Sequence, residues 1–96
     1  MGPFVLHPRA AFDIDGIWDY SVQHWGVTRA NRYVGEIRTI IEKIAENPTL
    51  GRPCGKRRPN HFKALVGSHV VIYRVRNESI AIVRVLHQRM NLSLHY

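Results

Sequence analysis

The sequence predicts an α+β protein in which a helix hairpin packs on a small antiparallel sheet, in the order β-α-α-β-β-β. Three observations predict it. Residues 8–47 place apolar side chains at spacings of three and four, residues 61–86 are rich in Val, Ile and Tyr, and a Pro/Gly-punctuated stretch separates the two patterns. Ninety-six residues with 45% hydrophobic and 22% charged side chains fit one folded domain spanning 1–96, with no room for a second.

The chain opens on an apolar run, Pro3 to Leu6, whose proline suits only a strand start or an edge. Pro8 then fits the first turn of a helix, where its missing N–H is not needed. The stripe Ala11, Ile14, Ile17/Trp18, Ser21/Val22 and Trp25 follows, with Asp13, Asp15 and Asp19 largely off it. On that pattern Trp18, Trp25 and Tyr20 read as core, against the alternative of an aromatic binding face. Gly26 ends the helix.

Thr28 suits the N-cap of a second helix with the stripe Ala30, Tyr33/Val34, Ile37, Ile40/Ile41 and Ile44/Ala45. Asn47-Pro48 stops it, because a residue before proline avoids the helical region. A connection of two or three residues makes the two helices an antiparallel hairpin. Gly35, in mid-helix, suggests a close crossing. Residues 48–60 form a basic loop with Arg52, Lys56, Arg57 and Arg58. The runs His61–Val66, His69–Arg76 and Ile80–Leu86 form a meander, turned at Gly67-Ser68 and Asn77-Glu78. The last run is apolar apart from Arg84, as in a strand covered on at least one face.

Charge is one-sided. Residues 1–47 hold five basic against six acidic side chains, whereas residues 48–96 hold nine basic against Glu78 alone. The second half therefore suits a partner of negative charge, a nucleic acid or an acidic protein segment. A single cysteine, Cys54, excludes an internal disulfide framework, and no signal-peptide or membrane-span pattern is present, so a cytoplasmic protein is expected. The six histidines, His7, His24, His61, His69, His87 and His95, make no metal-ligand spacing, and neither a metal nor another cofactor is expected.

Four stretches, in this order, resemble the ParE branch of the RelE/ParE toxins. They are Ile17-Trp18-Asp19-Tyr20 with Trp25-Gly26, and Ile44-Ala45-Glu46-Asn47-Pro48 running into Leu50-Gly51-Arg52-Pro53. The others are Val66 through Val75 and Ile82 through Met90. The resemblance implies a RelE/ParE-like fold and a toxin of a type II toxin–antitoxin system that inhibits DNA gyrase by direct binding. It also implies neutralisation by a ParD-like antitoxin laid over the groove and sheet, with DNA reached only through that antitoxin. The loop Pro53 to Pro59 is more basic than the family pattern, which usually carries acidic residues there.

The competing chemistry is that of the RelE-type ribosome-dependent messenger RNA endoribonucleases. It needs a general base for a 2′-OH, cations for the developing phosphorane and an acid for the leaving oxygen. Lys63, Arg84, His87 and Tyr96 are the right chemical types, with Arg74, Arg89 and His95 near them in sequence. Each also has a plainer reading. Arg84 in an apolar strand can pair with Asp13, Asp15 or Asp19, His87 can be a structural hydrogen-bonder, and Tyr73 alternates with Val71 and Val75 as core. Cys54 between Arg52 and Lys56 would have a lowered pKa only if those charges prevail. The expected protein is a binder and not an enzyme. Its target-binding face comprises Arg84, His87, Arg89, Met90 and Tyr96, and its antitoxin contacts comprise Arg52, Lys56, Arg57, Arg58 and Arg74.

Overall fold

The computed structural model describes residues 4–77 and 79–89. Strand β1 (Phe4–Leu6) leads into helix α1 (Pro8–Trp25) and helix α2 (Val27–Glu46). A 3-10 turn (Pro48–Leu50) and a two-residue strand β2 (Arg52–Pro53) precede β3 (His61–Val66), β4 (His69–Arg76) and β5 (Ser79–His87). The sheet order is β1-β5-β4-β3-β2, with β1 parallel to β5 and the remaining pairs antiparallel. The expected order is present, with β2 added at the edge of β3.

The helix boundaries differ in one respect from the sequence reading. Thr28 is not the N-cap of α2. Gly26 alone joins the helices, closing α1 and opening α2 at φ 90°, and it offers no capping side chain. A one-residue connection needs that positive φ, which glycine adopts without a Cβ clash. His7 caps α1 instead, its Nδ1 accepting from the Arg9 N–H at 3.1 Å. Gly35 marks no close crossing, since a Cβ there would meet nothing within 4 Å.

The core lies between the helices and one face of the sheet. Ala10, Ile37, Ile41, Ile44 and Ala45 pack against Ala64, Val71, Tyr73, Ile80, Ile82 and Val85. The α1 stripe keeps Ile14, Ile17 and Ser21 from the expected one, but Ala10 and not Ala11 is fully buried, Trp25 is exposed, and Asp13 at the edge of the stripe reaches β5. A bulge on β5 explains how an apolar strand accommodates a charge. Tyr73 pairs with Ile82 and Ile72 with Arg84, so Val83 is the extra residue. The one-residue insertion inverts the alternation beyond it. Val85 joins the helix-side core, and Leu86 joins Val70 and Ile72 in a second apolar cluster.

Tyr73 is core, as its alternation predicts, and its hydroxyl is also a strut. The ring is fully buried, and Oη donates to the Pro48 carbonyl at 2.8 Å and accepts from the Gly51 N–H at 2.8 Å. A Cβ at Gly51 would stand 2.5 Å from that hydroxyl and 2.7 Å from the Lys63 carbonyl, so the loop can approach β3 and β4 only as glycine. Tyr73→Phe leaves both backbone groups without this partner. It is expected to cost about 2 kcal/mol, measured by urea denaturation, and a loss indistinguishable from zero would refute the strut.

Candidate binding groove

An open groove of about 770 Å³ runs between α1, the start of α2 and the ends of β4 and β5. Phe12, Ile17, Tyr20 and Trp25 of α1 line it, with Arg29 and Tyr33 of α2 and His69, Arg84, Val85, Leu86 and His87 of the sheet. Phe12 is 78% exposed, Tyr20 55% and Trp25 51%. This corrects the reading of Tyr20 and Trp25 as core. Both rings line the groove and do not enter the core. Trp18 is half-buried, and its indole N–H donates to Asn31 Oδ1 at 2.9 Å. The exposed rings hold one another in place: Tyr20 stacks on His24 at 3.8 Å, and the Arg29 guanidinium lies 5.0 Å from the Trp25 ring.

Arg84 has the pairing foreseen as its plainer reading. Its Nε donates to Asp13 Oδ2 at 2.7 Å and its Nη2 to Oδ1 at 3.0 Å, a bidentate contact with both side chains only 12–13% exposed. The same carboxylate accepts the Val85 N–H at 2.9 Å. Strand β1 has ended by then, its last register partner being Ile82, so Asp13 supplies β5 with an acceptor past the end of its neighbour. The hydrogen bonds that Arg84 donates to Asp13 hold its pKa above the ordinary value, outweighing burial.

Beside this pair lies a polar cluster. His69 and His87 face each other across β4 and β5, their rings edge to face at 5.3 Å. Tyr33 Oη lies 2.6 Å from His69 Nδ1, accepts from the Ser68 N–H at 3.0 Å and has the Val66 carbonyl as acceptor at 3.3 Å. Gly67, at φ 55°, lets the β3–β4 turn reach this hydroxyl, because a Cβ there would stand 2.5 Å from the Tyr33 ring. Burial, and then the neighbouring His87, lower the pKa of His69, and burial raises that of Tyr33. His87 is hydrogen-bonded as expected, its Nδ1 accepting from the Arg89 N–H at 3.1 Å.

The sequence candidates divide into two places. Arg84 and His87 line the groove, and Arg89 follows in the exposed turn after β5. Lys63, Arg52, Arg74 and the loop residues Lys56, Arg57 and Arg58 do not line it. Arg52, Lys63, Ile72 and Arg84 form one cross-strand row, so the Lys63 and Arg84 backbones lie two strand spacings apart, about 10 Å. Arg74 pairs with His61 and Ala81 and is half-buried. Met90, His95 and Tyr96 lie outside the described residues. Cys54 is half-buried, and burial raises its pKa despite Lys63 and Arg58, against the lowered value that its basic neighbours suggest. Sequence reasoning missed Phe12, Tyr33 and His69 as groove residues. His69 lies inside the quoted Val66 through Val75 stretch, whereas no signal in the sequence pointed to Phe12 or Tyr33.

No helix among the described residues is long and apolar enough to cross a membrane. The family model for the ParE toxin of type II toxin–antitoxin systems, parDE, matches residues 4–92. The chain is 46% identical over 95 residues to Toxin ParE1 of Caulobacter vibrioides, covering 99% of this chain and 98% of that one. It is 42% identical over 90 residues to Toxin ParE1 of Mycobacterium tuberculosis, covering 93% and 92% respectively. The fold matches a solved chain from the chromosomal ParDE system of P. aeruginosa with a TM-score of 0.78 and 21% identity, covering 91% of this chain and 96% of that one. A family match across the groove-forming helices and the whole sheet, with relatives this similar end to end, leaves one conclusion: the chain belongs to the ParE toxins of type II toxin–antitoxin systems.

Proposed function

We propose that this toxin inhibits DNA gyrase by stoichiometric binding, without covalent chemistry of its own, and is held inactive by a ParD-type antitoxin seated in the groove. The observation that carries the reading is the groove itself. Its walls are aromatic and apolar, as docking surfaces are, and Arg84, the cation a nuclease would aim at a phosphorane, is committed to Asp13. Lys63 lies two strands from Arg84 and outside the groove, which argues against a joint catalytic set. His87 and Arg89, with Met90 and Tyr96, form the gyrase-contacting end, and His87 also lines the groove. An antitoxin in the groove thus covers part of the target face, which accounts for neutralisation by occlusion. Arg52, Lys56, Arg57, Arg58 and Arg74 extend the contact with an acidic antitoxin segment beyond the groove, a salt-sensitive contribution.

The test is a gyrase supercoiling assay with purified toxin, run beside a translation extract. Loss of supercoiling with cleaved DNA and intact message is expected, and added antitoxin should restore supercoiling. Site-specific message cleavage that disappears in His87→Ala would replace this reading with the ribonuclease one.

A further inference from the structure

We infer that the groove takes an acidic segment of its partner and that this docking is coupled to proton uptake at His69. The inference rests on the groove being the antitoxin site and adds the chemistry of what is recognised there. Charge complementarity sets the sign of the partner. Among the lining residues Asp13 is the one acid, and it is neutralised by Arg84, so Arg29 and the two imidazoles set the balance. A carboxylate entering beside His69 and His87 therefore meets no competing acid on the groove wall.

The hydrogen-bond network is built to accept a proton without rearrangement. With His69 neutral, Tyr33 Oη–H donates to Nδ1 at 2.6 Å while the Ser68 N–H donates to Oη. With His69 protonated, Nδ1–H donates to Oη, and the hydroxyl proton turns to the Val66 carbonyl, already in place at 3.3 Å. Both states of the imidazole are satisfied by atoms that do not move. In the free toxin, burial and then the facing His87 disfavour the protonated form of His69. A carboxylate that enters as water leaves reverses that balance, since an opposite charge at 4–6 Å favours the protonated form.

Among the described residues, few charged groups surround the pair, and Arg89 follows His87 in the turn after β5. Helix α1 presents Asp13, already bound to Arg84 of β5, and Tyr20. Helix α2 presents Arg29 and Tyr33, with Glu36 acting on the Tyr33 hydroxyl. Linkage gives the direction. Docking raises the affinity of His69 for a proton, so antitoxin binding tightens as pH falls, by at most about tenfold per pH unit for the proton taken up.

The experiment is calorimetric titration of the toxin with a purified ParD-type antitoxin at pH 7 in phosphate, HEPES and Tris. The dependence of the heat on buffer ionisation enthalpy counts protons directly, however tight the complex. Net uptake is expected with the native toxin, its loss is expected in His69→Gln, and a changed uptake is expected in His87→Gln, which removes the neighbour that disfavours protonated His69. The second variant alters a half-exposed side chain and guards against a folding defect in the first. Tight binding with no buffer dependence, or uptake unchanged in both variants, overturns the inference while leaving the groove as the docking site. Binding that is unaffected by Trp25→Ala instead removes the groove reading on which the inference rests.

Discussion

Asp13→Ala is expected to cost about 3 kcal/mol of folding stability, the low end of what removing one member of a buried ion pair costs. The loss has two sources. The Arg84 guanidinium, 13% exposed, is left without its carboxylate, and the Val85 N–H loses its acceptor past the end of β1. Asp13→Asn separates them, because an amide oxygen can still accept from Val85 but brings no charge to Arg84. It should retain part of the stability. The double variant Asp13→Leu/Arg84→Met should recover most of the loss, since neither charge then remains to be buried. Urea denaturation of the four proteins measures all of this. A loss below about 0.5 kcal/mol for Asp13→Ala would place the contact among exposed pairs and remove its role in holding α1 against β5.

Trp25→Ala should weaken antitoxin binding by about 2 kcal/mol, roughly 30-fold, with little change in stability. The ring is 51% exposed in the free toxin, so it contributes little to the core, yet it stands over the groove with Arg29 against its face. Burying it under a partner desolvates both the indole and the stacked guanidinium. Phe12→Ala, on the same helix and 78% exposed, should add to the effect because the two sites are more than a helical turn apart. Competition binding of the variants against the native toxin checks this. Undiminished affinity in the double variant would move the antitoxin to the basic side formed by β2, the 54–60 loop and β3.

These two predictions sit on the features hardest to read from sequence. The α1 stripe was visible at spacings of three and four, and Ile14, Ile17 and Ser21 face the core as it expects, but its edge was misplaced. Ala10 and not Ala11 is fully buried, and Asp13, counted off the stripe, borders it and reaches Arg84 and the Val85 N–H of β5. Trp25 was misjudged for a related reason. Hydrophobicity says that a ring prefers burial but not whether anything is there to bury it, and Trp25 lines the open groove.

Local pattern was enough for the element order, the helix hairpin, the β3–β4 and β4–β5 turns and the burial of Tyr73, because periodicity and turn chemistry are properties of neighbouring residues. The motif resemblance was enough for the family. The parallel β1–β5 pairing, the Val83 bulge, the choice of Asp13 over Asp15 and Asp19 for Arg84, and the meeting of Tyr33 with His69 and His87 came only with the tertiary structure. These contacts join residues 9 to 76 positions apart, where many pairings have similar local propensity. Strand register and the phase of a docked helix choose among them, and both are settled by packing the whole core at once.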